Sequence, residues 1–376
     1  MPTKTNQSED SVLSDSPSKR TDVFSNVEVP LSTSPLEKNA SSPFLNKSDN
    51  QESSNRSVYK TAESVSPGHP DKLCDQISDA ILDAYLSEDP NSRVAIEAVG
   101  GHGKVFVVGE VTSSATVDVE PIVKRIAGDV EIEHRIVRQS PEIAHGVDTG
   151  GAGDQGIMVG YACDETPEYL PLETVLARQL NQYLYEKWPN DGKTQVTLRD
   201  KNIESVVASF QHAKKSELET AVKSWLETTG LNGNAIIHAN PAGDWDQGGF
   251  DADTGLTGRK LIVDNYGPQI PIGGGCFSGK DPSKVDRSAA YIARKIAIDY
   301  LKKENAKEVF CYLAYAIGEA EPLEATVIVD GVQKSIEGYD LTPNGIIKFL
   351  GLKKPQYEQT ARYGHFGHGF QWEKDF

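Results

Sequence analysis

The 376-residue sequence has few cysteines, and it has no apolar run long enough to cross a bilayer. The four cysteines are scattered, and no two of them form a CxxC pair. This spacing argues against a disulfide framework or a zinc site and is typical of a reducing compartment. The N-terminus also lacks the apolar core of a signal peptide. We therefore expect a soluble, cytoplasmic protein that does not bind membranes.

Positive charge is scarce as well. The sequence has 38 Lys and Arg residues against 55 Asp and Glu residues, which gives a formal net charge of -17 and a pI of about 5.0. Such a balance argues against a protein that binds nucleic acid or an anionic membrane in bulk. It leaves room for a small anionic ligand, because a local group of Lys and Arg side chains can oppose the overall charge.

Residues 1–58 contain no glycine and no tryptophan, and they are rich in Ser, Thr and Asn. Only 38% of the whole chain is hydrophobic, and the mean hydropathy is -0.45. A segment of this composition cannot bury enough surface to offset the entropy lost on ordering. We therefore predict a disordered tail over residues 1–58. The remaining length suits two or three structural units.

Beyond the tail, helix and strand patterns alternate in small groups. Apolar residues at helical spacing predict helices within 75–86, 118–129, 171–188, 216–227, 285–304 and 342–350. Alternating or continuous apolar runs predict strands within 93–99, 104–112, 194–199, 203–210, 234–239, 260–266, 307–318 and 324–331. This order predicts an α+β fold of several sheet-plus-helix units and disfavours one doubly wound sheet.

Polar and charged residues are concentrated in loops rich in glycine and proline. His69, Asp71 and Lys72 lie in a Gly/Pro turn directly before a predicted helix, where backbone N–H groups can bind an anion. Taken alone, this turn is better explained as an ordinary helix start with a capping Asp. Gly-rich runs at 151–166 and 273–291 and the segment GRKLIVD at 258–264 add further Lys, Arg and Asp residues. Neither the Walker nor the Rossmann glycine spacing is present, so the signal is the co-occurrence of these loops.

Four of these motifs occur in a characteristic order: GHPDK, GAGDQG, GLTGRK and GGGCFSGKDPSKVDRS. In this order they resemble the S-adenosylmethionine synthetase family, and ARYGHFG at 361–367 and WEK at 372–374 match the end of the family pattern. The resemblance covers about residues 60–376. It implies three similar sheet-plus-helix units at about 59–160, 161–284 and 285–376, interleaved in sequence, after the tail.

The resemblance also implies a reaction: methionine sulfur attacks the ribose C5′ of ATP, and the released tripolyphosphate is hydrolysed to phosphate and diphosphate. By position in the motifs, the implied catalytic residues are His69, Lys193, Arg259 and Lys280. The implied contacts with ATP are His69, Asp154, Asp191, Lys193, Trp245, Asp253, Arg259, Lys260, Cys276 and Lys280. The implied contacts with L-methionine are Glu110, Gln139, Asp253 and Lys284. Two Mg²⁺ ions per site would bind Asp71 and Asp286, and K⁺ would bind Glu97.

Some positions depart from the family pattern. The loop from Gln139 to Asp154 is shorter than in most relatives. Pro189-Asn190-Asp191 stands where the family usually has Arg-Pro-Asp, which removes one positive charge. Trp245 replaces a stacking Phe, and Cys276 replaces the commoner Ala. None of these changes removes a core catalytic residue, so they bear on kinetics more than on the type of reaction.

Two other functions remain open at this point. One is a non-catalytic relative that binds nucleotide and regulates another subunit, and the other is an ATP hydrolase that needs no methionine. The resemblance further implies a homodimer or homotetramer whose active sites are shared between subunits.

Overall fold

The structure is a computed structural model, and it describes residues 57–139, 150–231 and 234–375. The predicted tail lies outside these residues except for Ser57 and Val58, and most of the 139–154 loop also lies outside them. No helix in the described part of the chain is both long and apolar enough to cross a membrane.

Strands and helices alternate along the described chain as the sequence predicts. The strands are β1 (Tyr59–Val65), β2 (Arg93–Gly101), β3 (Lys104–Thr112), β4 (Glu131–Val137), β5 (Gly156–Cys163), β6 (Gly192–Arg199), β7 (Asn202–Phe210), β8 (Ile236–Ala239), β9 (Gly255–Leu256), β10 (Glu308–Tyr315), β11 (Glu324–Val329) and β12 (Val332–Ser335). The α-helices are α1 (Pro70–Glu88), α2 (Val119–Ala127), α3 (Leu172–Tyr185), α4 (Lys215–Thr229), α5 (Leu261–Asp264), α6 (Val285–Glu304), α7 (Pro343–Leu350) and α8 (Thr360–Tyr363).

The strands form three sheets of four strands each. The N-terminal sheet has the order β4-β3-β2-β9, the central sheet β1-β6-β7-β8 and the C-terminal sheet β12-β11-β10-β5. Most neighbouring strands are antiparallel, but β3–β4 and β7–β8 are parallel. Because β1 lies in the central sheet and β5 in the C-terminal sheet, each sheet combines strands from separate parts of the chain.

One long helix covers one face of each sheet. Helix α1 packs on β2, α3 on β1 and β6, and α6 on β5 and β10. In β2 the alternate residues Val94, Ile96 and Ala98 are buried against α1, and Glu97 between them is exposed. The predicted α+β class with repeated sheet-plus-helix units is therefore confirmed.

One predicted element is wrong. The apolar run at 260–266 forms the short helix α5, not a strand. The guanidinium group of Arg178 donates hydrogen bonds to the backbone carbonyls of Val263 and Asn265, at 2.9 and 2.6 Å. These carbonyls are therefore not available to pair with a neighbouring strand. Strands β1, β4, β5, β9 and β12 were not predicted.

Strand β5 was missed because it is rich in small residues. A Cβ atom on Gly160 would lie 2.0 Å from the carbonyl oxygen of Ala293 in α6, so only glycine allows the helix to approach the strand this closely. The glycine that weakens the strand pattern in the sequence is therefore required by the packing of the C-terminal unit.

Candidate active site

The first turn of α1 brings the GHPDK residues to the edge of the protein core. His69 is the N-cap residue, and its Nδ1 accepts a hydrogen bond from the backbone N–H of Asp71 at 3.1 Å. Since Nδ1 is an acceptor, the neutral ring carries its proton on Nε2. The pKa of His69 is lowered to about 4, first by burial and then by the nearby charge of Lys260. His69 is thus a neutral hydrogen-bond donor at neutral pH.

Asp71 is the centre of a group of charged side chains. Its carboxylate is almost fully buried and lies 2.5 Å from Nζ of Lys260 and 3.3 Å from Nε of Arg259. Burial alone would raise the pKa of Asp71, but the hydrogen bonds from Lys260 and from the Leu256 N–H outweigh it and lower that pKa below its usual value. The carboxylate is therefore ionised and shared by two cations from the GLTGRK motif.

Residues from the central sheet and the following loop complete this group. Gly68 packs on the backbone of Asn190 and Asp191, and the Asp191 carboxylate accepts a hydrogen bond from the Gly249 N–H at 3.0 Å. Burial raises the pKa of Asp191, and the charges of Asp253 and Asp71 act in the same direction. We call this group the α1 cluster; it consists of His69, Asp71, Asp191, Lys193, Asp253, Arg259 and Lys260.

Lys193 and Trp245 lie at the border of the α1 cluster. Lys193 is close enough to contribute to the lowered pKa of His69, and its Nζ is 2.7 Å from Oε2 of Glu63. Trp245 is half-buried beside Gly248, where an added Cβ would lie 2.7 Å from the indole ring. A cavity of about 540 Å³ opens beside Arg259 and Lys260. The cluster therefore adjoins both an aromatic face and open space.

A second group lies where the Gly-rich loop enters α6. Nζ of Lys280 is 2.5 Å from Oδ2 of Asp286, and burial, which would lower the pKa of Lys280, is outweighed by this carboxylate. Lys284, the N-cap residue of α6, pairs with the buried Asp281, whose carboxylate also accepts the Val94 N–H at 2.7 Å. We call this group the α6 cluster; it consists of Cys276, Lys280, Asp281, Lys284 and Asp286.

A fully buried ion pair joins α1 and α6, the helices that carry the two clusters. Arg287 of α6 contacts Asp79 of α1 at 2.6 and 2.9 Å, and Asp79 also accepts the Gly279 N–H. Asp79 lies eight residues after Asp71 on the same helix, which corresponds to ~12 Å along the axis. His69 and Arg259 are therefore brought together by Asp71, while Lys280 belongs to a separate cluster of the same chain.

The remaining predicted site residues lie near the α6 cluster or on the open face of the N-terminal sheet. Glu97 lies between buried residues of β2, and Glu110 lies on the same face of β3 as the exposed Phe106 and Val108, so both side chains point away from α1. Glu110 pairs with Ala95, which in turn pairs with Lys280. Asp154 is exposed and contributes to the raised pKa of Lys280. Gln139 is the last residue of the first described range, just after β4. Its buried Oε1 has no hydrogen-bond partner among the described residues.

Cys276 of the α6 cluster contacts the GLTGRK motif. A Cβ on Gly258 would be 2.7 Å from Cβ of Cys276, so the residue that precedes Arg259 packs directly on this thiol. Burial raises the pKa of Cys276, and the neighbouring Lys280 opposes that shift. Cys276 thus connects the GLTGRK motif with the Gly-rich loop.

Carboxylate oxygens are the donors that Mg²⁺ prefers, and Asp71 and Asp286 supply one in each cluster. Within the described ranges, no group of three or more His, Cys, Asp or Glu side chains is arranged to hold a metal ion. Mg²⁺ is usually held by one or two carboxylates together with substrate phosphates. Two separated carboxylates beside lysines therefore fit ions that arrive with a polyphosphate.

Sequence reasoning did not identify the buried carboxylates that support the site. Lys72, which the sequence places in the same turn as His69 and Asp71, is 1% exposed and lies between Asp75 and Asp264. The only sequence signal for Asp75 is its position one helical turn after Asp71. For Asp264 there is no local signal, since its partner is 192 residues away.

The sequence matches three domain descriptions that carry one family name. The S-adenosylmethionine synthetase N-terminal domain matches residues 57–144, the central domain 149–245 and the C-terminal domain 247–374. These matches extend over almost the whole described chain.

Individual proteins with the same name are similar over nearly their full length. An S-adenosylmethionine synthase of Treponema denticola is 43% identical over 371 residues, which covers 84% of this chain and 95% of the relative. The synthase of Salinibacter ruber is 42% identical over 365 residues with the same coverage. That of Staphylococcus epidermidis is 40% identical over 380 residues, covering 84% of this chain and 94% of the relative. The family resemblance inferred from the motifs is therefore confirmed.

Proposed function

Because the chain belongs to the S-adenosylmethionine synthetase family, we propose that it is a methionine adenosyltransferase. It converts ATP, L-methionine and water to S-adenosylmethionine, phosphate and diphosphate. The similar proteins carry the name of this activity, and the motifs of the chain supply a residue for each required contact.

The observation that carries the proposal is the α1 cluster. Lys260 and Arg259 both contact Asp71 at the N-terminus of a 19-residue helix, and His69 caps that helix. Backbone N–H groups and the positive end of the helix dipole favour an anion there. Two cations, a neutral His donor and a carboxylate at this position suit a polyphosphate that brings its own metal ion.

The nucleotide lies between the α1 cluster and Trp245 in this proposal. Trp245 offers a face for adenine, while Asp191, Asp253 and Lys193 hold the ribose and phosphates. Arg259, Lys260 and Lys280 bind the triphosphate, and the thiol of Cys276 packs beside it. Asp154 contacts the nucleotide from the α6 side.

Methionine binds beside the α6 cluster. Glu110 accepts hydrogen bonds from the amino group. Gln139 uses its Oε1, which has no partner among the described residues, in the same way. Lys284 and Asp253 hold the rest of the amino acid. The carboxylates of Asp154 and Asp253 favour the cationic sulfonium product over the neutral thioether.

The displacement needs alignment and charge stabilisation more than it needs a base. A sulfur lone pair forms the bond to C5′, and the C5′–O bond breaks with its electron pair leaving on the tripolyphosphate. The enzyme side chains hold the two atoms in line, which lowers the entropic part of the barrier. The Nε2–H of His69 and the cations of both clusters donate to the oxygen on which charge develops.

The same residues hold the tripolyphosphate while water cleaves it. Asp71 and Asp286 would hold Mg²⁺, which would neutralise phosphate charge, and Glu97 would hold K⁺, which would add a fixed positive charge. Asp71 and Asp286 fit this role by donor type and by their position beside phosphate-binding lysines.

We propose that two copies of the chain share each active site. The clusters of one chain are separated along α1, and Glu97 and Glu110 lie on the open face of the N-terminal sheet. Phe106 and Val108 lie together on that face and are 40% and 43% exposed, and adjacent exposed apolar side chains suit a contact with another protein surface.

Mass spectrometry of the product tests the proposal. The protein is incubated with ATP, L-methionine, Mg²⁺ and K⁺, and we expect S-adenosylmethionine with phosphate and diphosphate in equal amounts. Phosphate release that does not require methionine would identify an ATP hydrolase instead. Nucleotide binding without any turnover would identify a regulatory relative.

A further inference from the structure

A buried lysine lies directly beneath the α1 cluster. Lys72 follows Asp71 in the first turn of α1, yet its side chain points into the protein and is 1% exposed. Its Nζ lies 2.7 Å from both carboxylate oxygens of Asp264 and 3.1 Å from Oδ2 of Asp75. One ammonium group is therefore enclosed by two buried carboxylates and cannot reach a ligand without breaking both contacts.

The two carboxylates hold the two ends of one active-site segment. Oδ1 of Asp75 accepts the backbone N–H of Gly258 at 2.8 Å, directly before Arg259 and Lys260. Asp264 is the last residue of α5, which begins directly after Lys260. The segment 258–264 is thus anchored at both ends to α1, the helix that also carries Asp71.

Further contacts fix the far end of this segment. The carbonyl of Asp264 accepts the His365 N–H at 3.0 Å, and Arg178 donates to the carbonyls of Val263 and Asn265. A Cβ on Gly364 would lie 2.3 Å from the Asp264 carbonyl oxygen, so the C-terminal loop is packed closely against it. The segment consequently has little freedom to move away from α1.

We propose that Lys72 is a positioning residue that sets Arg259 and Lys260 opposite Asp71, and that it does not itself bind phosphate. The inference rests on the proposed function, because it assigns polyphosphate binding to Arg259 and Lys260. Lys72 acts by joining Asp75 and Asp264, which would otherwise repel each other and shift Arg259 and Lys260 relative to Asp71. Supporting side chains of this kind commonly change ligand affinity by about tenfold or more.

The experiment measures the affinity of the full chain for inorganic tripolyphosphate with Mg²⁺ by calorimetry. The variants are Lys72→Met, Asp264→Asn and the double variant, and each is also tested for its melting temperature. Lys295→Met and Asp299→Asn are matched controls: Lys295 is 3% exposed, pairs with Asp299 within α6 at 2.7 Å, and is outside both clusters. Asp264→Asn is the milder change, since Lys72 keeps its ion pair with Asp75. It provides a folded protein for the measurement if Lys72→Met does not fold.

We expect each single variant to weaken tripolyphosphate binding about tenfold, and the double variant to be no weaker than a single one, because both residues act through the same contact. The controls should lower the melting temperature and leave the affinity of the folded protein unchanged. If Lys72 bound phosphate directly, Asp264→Asn would leave binding unchanged or strengthen it, and the inference would be wrong. Unchanged affinity in both single variants would also overturn it.

The readout is independent of turnover. If wild-type protein binds tripolyphosphate but forms no S-adenosylmethionine, the proposed function fails and the comparison of variants still decides the role of Lys72. If wild-type protein makes the product and the variants bind tripolyphosphate normally, only the inference about Lys72 fails.

Discussion

The Nζ atom of Lys260 lies 2.5 Å from Oδ2 of Asp71, so a lysine proposed to bind phosphate neutralises the carboxylate proposed to bind Mg²⁺. Lys280 and Asp286 repeat this relationship in the α6 cluster, also at 2.5 Å. Pairing removes the cost of holding either buried charge alone. Each pair must open before its members bind a phosphate and a metal ion, so the two ligands are expected to favour each other.

Asp71→Asn is expected to uncouple the two ligands. With the carboxylate neutralised, Lys260 is free for phosphate, so tripolyphosphate alone should bind as well as or better than it does to wild type. The strengthening of tripolyphosphate binding by Mg²⁺, expected to be about tenfold in wild type, should be lost. Calorimetric titrations with and without Mg²⁺ measure both quantities. Asp129→Asn, at an exposed position after α2, serves as the control, and an unchanged Mg²⁺ effect in Asp71→Asn would contradict the metal assignment.

His69→Ala is expected to lower S-adenosylmethionine formation by on the order of 10² or more, because it removes a donor from the developing charge. It also removes the N-cap of α1, which should cost about 1 kcal/mol of stability. His69→Asn separates the two effects, since an Asn side chain can still cap the helix. Steady-state rates and melting temperatures of both variants give the comparison. Near-wild-type turnover in either variant would exclude the assigned role.

The motifs allowed prediction of the family and of the α+β class because they are contiguous in sequence. GHPDK, GLTGRK and the Gly-rich loop each carry their charged residues within a few positions, so residue type and order were sufficient. The patterns also placed α1 and α6, whose apolar residues recur at helical spacing over five turns or more.

Contacts between distant residues could not be predicted in the same way. Nothing near Asp264 in the sequence indicates that its carboxylate belongs with Lys72, and nothing near Asp79 indicates Arg287. The apolar run that contains Ile262 and Val263 favours a strand by propensity, and the contacts of Arg178 override that preference. The contacts of Asp71 with Arg259 and Lys260 also join distant parts of the chain, so the grouping into two clusters required the structure.

Deleting residues 2–56 is expected to leave the melting temperature and the specific activity nearly unchanged. The described contacts begin at Ser57, whose Oγ accepts from Nε of Arg199, and at Val58, whose N–H donates to Asp200. Deleting two further residues removes both contacts and should lower stability slightly by fraying β1. Thermal melts and rate assays of the two truncations test this, and a large loss on the shorter deletion would mean that the tail packs on the catalytic body.

Acid should destabilise the protein below about pH 6.5 through a buried histidine. The pKa of His368 is lowered to about 4, first by burial and then by the charge of Arg178. The unfolded chain takes up a proton near pH 6.5 and the folded chain does so only near pH 4, so stability is full above pH 6.5 and falls as the pH decreases towards 4. The slope is at most about 1.4 kcal/mol per pH unit for one such group.

Urea unfolding of wild type and His368→Gln at pH 7.5, 6.0 and 5.0 measures this contribution. The variant should be less stable at pH 7.5, because it loses the contact between Nε2 and the Tyr363 carbonyl, and the difference should shrink as the pH falls. His134→Gln, at an exposed position on β4, is the control and should follow wild type. A constant difference across the three pH values would exclude titration of His368 as the cause.

Alkylation of Cys276 should inactivate the enzyme, and ATP should protect it. Cys74, Cys163 and Cys311 are buried, whereas Cys276 is partly exposed and packs on Gly258 next to Arg259. An added group at its sulfur would displace Gly258 or occupy the space proposed for the nucleotide. Because burial raises the pKa of Cys276, the thiol should react slowly at neutral pH and faster as the pH rises.

Cys276→Ala keeps Cβ and should retain activity while becoming resistant to iodoacetamide. Peptide mass spectrometry after labelling with and without Mg²⁺-ATP locates the modified residue, and equal labelling of Cys276 under both conditions would argue that the nucleotide binds elsewhere.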